Sequence, residues 1–115
     1  MRHLIYIIIG MTAASLFASC GQRQQAKSVI KDFMEQSLQK DVKYLDFSDL
    51  DSTKAISDSV IMVMRQRGPK GIRYKEHQDE TLLYLRASYL DSEDTCSATF
   101  YLDREATAIV AFKQN

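Results

Sequence analysis

The chain has 115 residues, with 15 basic and 15 acidic side chains, 45% hydrophobic residues, two Cys, one Pro and no Trp. This balance fits a small globular protein and excludes a strongly basic nucleic-acid binder, which needs clustered Lys and Arg to neutralise phosphates. With residues 1–19 set aside as a targeting segment, Arg2 goes with them and 14 basic side chains face 15 acidic ones, in a length that supports one modest core and no second domain.

The targeting segment opens on Arg2 and His3, and the uncharged run from Leu4 to Ala18 is broken only by Gly10, Thr12 and Ser15. Fifteen helical residues reach about 22 Å, short of the roughly 30 Å hydrocarbon core, so a signal peptide is the better reading than a permanent spanning helix. The sequence Leu16-Phe17-Ala18-Ser19-Cys20-Gly21 resembles the lipobox of bacterial lipoproteins, with Phe17 where an aliphatic residue is usual. That resemblance implies cleavage before Cys20, a diacylglyceryl group on its thiol and an acylated new amine. Several acyl chains hold a domain at a bilayer where one would not. Gly21, in place of Asp, implies delivery to the outer membrane. The absence of the acidic cluster of surface-exported lipoproteins implies a domain facing the periplasm. With Cys20 lipidated, Cys96 is left as a lone thiol, in an alternating run that reads as structural.

Residues 20–25 read as a short solvated tether and 26–115 as the domain. Ala26, Val29, Ile30, Phe33, Met34 and Leu38 recur at helical spacing, which predicts an amphipathic helix over 26–39. Lys40 to Thr53 breaks that period and reads as a packed loop or a short strand at 43–47. A second helix follows, with Asp51, Ser52 or Thr53 as cap candidates and an apolar stripe of Ile56, Val60, Val63 and Met64. Gly68-Pro69 ends it, with Gly68 suited to a left-handed cap.

From there the period becomes two. Strands are predicted at Ile72–His77, at Leu83–Tyr89, at Cys96–Leu102 and over Thr107–Lys113, with polar turns at 91–94 and 103–106. Short turns favour an antiparallel meander. The expectation is an α+β domain in the order α-α-β-β-β-β, two helices packed over one face of a four-stranded sheet. Val29, Phe33, Leu38, Lys40 and Asp41, as they stand in the first helix, resemble the opening of lipoproteins with NTF2-like or cystatin-like domains, in which helices lie on a curved antiparallel sheet. As a whole the chain looks most like the short lipoproteins of Bacteroides-type bacteria.

Catalytic and metal chemistry find little support. The Ser-x-x-Lys pairs at Ser28/Lys31 and Ser37/Lys40 fall on one amphipathic helix, without the companion motifs of penicillin-recognising enzymes. Asp49 to Lys54 begins like a calcium loop, but Lys54 replaces the needed Gly and Val60 the bidentate Glu. His77 is the only His after the signal segment, which excludes a Cys/His zinc cluster; a solvated turn with Asp79 and Glu80 is its plain reading. The expectation is a non-enzymatic protein with no cofactor and no metal.

The outward sheet face carries Tyr84, Arg86 and Ser88 beside Ser97, Thr99 and Tyr101, with Arg73 or Lys75 nearby. Tyr and Arg are enriched at interface hot spots, although they also stabilise ordinary sheet faces as cross-strand pairs. Tyr84, Arg86 and Tyr101 are therefore the candidate partner face of a lipid-anchored envelope protein. The alternative is a small-ligand carrier of the NTF2-like or cystatin-like kind, which needs a cavity of roughly 300 Å³ or more between helices and sheet.

Overall fold

The structure, a computed structural model, describes residues 21–76 and 81–115. Residues 1–19, which the sequence presents as a signal segment, lie outside the described residues, as do Cys20, His77, Asp79 and Glu80. The described chain forms an α+β fold of two helices and five strands. Residues 21–32 form helix α1, which passes into a π-helical turn at Phe33–Ser37. The strands are β1 (Lys43–Phe47), β2 (Asp51–Thr53), β3 (Leu82–Asp91), β4 (Asp94–Leu102) and β5 (Ile109–Gln114), with helix α2 (Asp58–Arg67) between β2 and β3.

Helix α1 includes residues 21–25, which the sequence presents as tether. Gln22, Arg23, Gln24 and Gln25 are good helix formers, and a solvated turn of helix needs no apolar residue. Arg23 fixes this turn to the sheet edge, its guanidinium donating to the carbonyls of Phe47 at 3.0 Å and Ser48 at 3.4 Å. The buried positions are those of the expected stripe: Ala26, Ile30, Phe33 and Met34. The end comes at Gln39, which adopts a left-handed φ of 54°.

The antiparallel sheet runs β1-β3-β4-β5, and β2 also pairs with β3. β1 and β2 lie in succession along the same edge of β3, with Tyr44 opposite Tyr89 and Asp51 opposite Tyr84. They act as one interrupted edge strand, bulged between Tyr44 and Asp46, where Leu45 is left 50% exposed. The sheet thus has five strands where four were expected, and its first edge comes from residues 43–53. The strand expected at Ile72–His77 does not form over residues 72–76. Ile72 and Tyr74 pack on the core, yet the backbone gives β5 a single bond, Lys75 N–H to the Ile109 carbonyl at 3.0 Å. The Arg65 guanidinium takes the place of a ladder, donating to the carbonyls of Val110 at 2.9 Å and Lys75 at 2.8 Å.

Because Asp51–Thr53 is spent in β2, α2 starts later than expected, and Ser57 is its N-cap, accepting from Val60 N–H at 3.4 Å. Of the expected stripe Met64 is buried and Ile56 partly so, joined by Ile61, while Val60 and Val63 are each 43% exposed. Gly68 closes α2 as foreseen, but with φ at −79° rather than left-handed. Glycine there leaves room for its neighbours: a Cβ would lie 3.3 Å from both the Phe112 ring and the Tyr74 hydroxyl, which would have to give by a few tenths of an ångström.

The two helices pack on different faces, which corrects the expectation of both on one. Leu85, Ala87 and Tyr89 of β3, with Ala98, Phe100 and Leu102 of β4, alternate onto the face under α1. Leu82 and Tyr101 point the other way and meet Ile61 and Met64 of α2 together with Val110 and Ala111. The bulge opposite Leu102 allows β5 to serve both clusters, sending Ile109 and Phe112 to the first and Val110 and Ala111 to the second. Phe100, fully buried, stacks on Phe112 at 5.9 Å and takes the edge of Phe33 at 6.2 Å.

Candidate functional site

The expected partner face is built by register. Tyr84 and Tyr101 are directly opposed in the β3–β4 ladder with ring centroids 6.0 Å apart, and Arg86, two residues on, faces Thr99. Tyr101 is half-buried against the α2 cluster, and burial raises its hydroxyl pKa, with the neighbouring Tyr84 adding to the effect. Tyr84 is half-buried and Arg86 exposed, so the free part of this face begins at Tyr84. Beside it lies a shallow depression of about 390 Å³ lined by Ser48, Asp49, Asp51, Tyr84, Arg86 and Thr99. Ser48 binds the edge of β3 there, its hydroxyl accepting from Arg86 N–H at 2.8 Å and its own N–H donating to the Arg86 carbonyl at 2.9 Å.

Lys75 does not join this face. Its ammonium is 2.6 Å from Asp103, in the turn between β4 and β5. Asp103 is the one buried charged residue among those described, and its carboxylate also accepts from the N–H groups of Thr107 at 2.6 Å and Ala108 at 3.0 Å and from the Thr107 hydroxyl. Burial alone would raise its pKa, but the bonds from Lys75, Thr107 and Ala108 outweigh it and hold the carboxyl at about 2. This set orders a turn in which Ala106 is left-handed at φ 56°, and every acceptor position is taken by the chain itself.

A second concavity has no counterpart in the sequence reading. The end of the π turn, the C-terminus of α2 and the last residues of β5 enclose a cleft of about 570 Å³. Leu38, Met64 and Phe112 give it an apolar lining, and Lys40, Arg67 and Lys113 give it three cations and no acid. Lys40 is paired with Asp91 at 2.8 Å, a bond that raises its pKa, so the charge left to the cleft is that of Arg67 and Lys113. These residues come from three elements separated by tens of positions, and only Gly68-Pro69, which lets α2 stop against Phe112, marks the place in the sequence.

On the opposite side of the molecule, Lys27 and Lys31 of α1 lie over the rings of Phe47 and Tyr44 at 5.3 to 5.8 Å, joining α1 to β1. Cys96 is half-buried, with Sγ 3.8 Å from the Asp94 carbonyl. Among the described residues no group of three or more His, Cys, Asp and Glu side chains comes together, and no helix is long and apolar enough to cross a membrane. No family model, characterised protein or solved structure matches the chain.

Proposed function

We propose that this is a non-enzymatic, lipid-anchored protein of the cell envelope whose α+β domain binds another envelope protein. The lipobox residues Leu16 to Gly21 support the anchor on Cys20, at the outer membrane with the domain facing the periplasm. Because α1 is helical from residue 21, lipid on Cys20 would hold the domain close against the bilayer surface.

The observation that carries the protein-binding reading is the filled layer between α1 and the sheet. Ala26 and Ile30 meet Leu85 and Phe100, all at 0% exposure, so side chains occupy the space that a carrier would reserve for cargo. The uncovered Tyr84 and Arg86 then supply the residue types that anchor protein interfaces. The second reading, a small-ligand carrier, is favoured by the cleft of about 570 Å³, which lies at the sheet edge instead of under α1.

Two experiments in intact cells test the reading. Cys20→Ala is expected to move the protein from the membrane to the soluble fraction; retention at high salt would mean a different anchor. Chemical cross-linking with mass spectrometry is expected to capture a specific partner that Tyr84→Ala/Arg86→Ala loses at equal abundance. Tyr101 is left intact because it packs on α2. Capture unaffected by the double variant would remove this face from the proposal.

A further inference from the structure

The geometry points to the cleft at the end of β5 as a docking groove for an extended acidic segment of a partner polypeptide, added to the sheet as a further strand. The inference rests on the protein-binding reading and names the groove and the chemistry of the partner. Its first support is the direction of the β5 backbone. Asn115 N–H donates to the Ser97 carbonyl at 2.9 Å, which makes Ser97–Asn115 a hydrogen-bonded pair. Antiparallel alternation then makes Thr99–Lys113 the next such pair and turns the N–H and C=O groups of Phe112 and Gln114 away from β4.

Earlier along the same edge the outward carbonyls are satisfied, Ile109 by Lys75 N–H and Val110 by Arg65. Among the described residues, no backbone bond reaches the outward groups of Phe112 and Gln114. The covering by residues 72–76 and Arg65 stops where the cleft begins. An added strand lies about 4.8 Å from its neighbour, and the cleft lined by Phe112, Lys113 and Gln114 gives space beside these residues for one.

The walls specify the side chains. Strand alternation puts Lys113 on the α2 face, where Arg67 lines the same cleft, and Phe112 on the α1 face, beside Leu38. An incoming strand presents alternate residues to these two walls. One set meets the unpaired cations Arg67 and Lys113, with Met64 beside them, and the other meets Leu38 and Phe112, where Lys40 is already paired with Asp91. The complementary segment therefore alternates Asp or Glu with aliphatic residues, and bonds to its own backbone fix its register.

The test uses the full-length chain in phosphatidylcholine nanodiscs, titrated with a fluorescein-labelled six-residue peptide alternating Val and Glu and followed by anisotropy. Saturable binding is expected. Methylating the peptide nitrogens that face β5 should abolish it, and Arg67→Glu/Lys113→Glu should weaken it about tenfold or more while gaining a Val/Lys peptide. Both residues are exposed, and an unchanged thermal midpoint confirms that the double variant is folded. Binding indifferent to nitrogen methylation, or displaced by dodecanoate while methylation is tolerated, would overturn the strand and make the cleft a small-amphiphile site. A photoreactive amino acid placed at Arg86 or at Gln114 in cells separates this failure from that of the broader reading. A partner captured from Arg86 alone overturns the groove and leaves protein binding standing, whereas none from either position overturns both.

Discussion

Asp103→Asn isolates the charge in the turn that joins β4 to β5. The side chain is 7% exposed, and its carboxylate is held by Lys75 and by the Thr107 and Ala108 donors. These bonds bring its pKa from 3.8 to about 2. At 1.36 kcal/mol per unit, that difference corresponds to about 2 kcal/mol of folding stability from the ionised form. The folded pKa is depressed, so the contribution is complete above pH 4 and is lost as pH falls from about 4 towards 2. Urea unfolding at neutral pH should show Asp103→Asn less stable by about 2 kcal/mol or more, since the amide also brings N–H donors against donors. Near pH 2 the gap should shrink by about the linkage amount as the parent carboxyl protonates. A gap of the same size at both pH values would refute the assignment of this stability to the ionised carboxylate.

Phe100→Ala should cost about 3 to 5 kcal/mol, because Phe100 is fully buried between Phe33 and Phe112. A thermal midpoint left in place by that change would contradict the β3–β4–β5 register. Tyr74→Phe should stabilise the protein by about 1 kcal/mol, since the buried Tyr74 hydroxyl has no hydrogen-bond partner among the described residues and burial raises its pKa. Chemical denaturation would show it, and a loss of stability would mean that the hydroxyl has a partner.

The sequence discloses those parts of the fold in which local period and burial agree. Leu85, Ala87 and Tyr89 of β3 and Ala98, Phe100 and Leu102 of β4 are apolar at every second position and lie on one buried face. Residues 43–53 show their role only in part: the short strand at 43–47 is one of the two readings they offer, but Leu45 sits at a bulge and the strand resumes only at Asp51, in a run too short for alternation to reveal β2. Ile72 and Tyr74 mislead in the opposite sense: they alternate and they pack, but Arg65 takes the Lys75 carbonyl that a ladder would use. On the candidate face, the opposition of Tyr84 and Tyr101 follows from counting back from the turn at 91–94. That Tyr101 would be partly covered depends on α2 crossing to the other face, which nothing local encodes.

The two edges of the sheet are guarded by different means, and the difference bears on function. At the β1 edge the strand is short, bulged and interrupted, and Arg23, Lys27 and Lys31 reach over it from α1, which discourages pairing with another chain. At the β5 edge the first half is covered by Lys75 and Arg65, and the second half carries one lysine, Lys113. A lone lysine is itself a common guard of an exposed edge, so the open groups of Phe112 and Gln114 would mean little on a convex surface. They lie instead beside a cleft with Leu38 and the Asp91-paired Lys40 on one side and Met64 and Arg67 on the other, so that the unpaired charge falls on the α2 side. Unpaired cations on one side of the edge alone favour a strand with acidic residues on that side and repel a basic one.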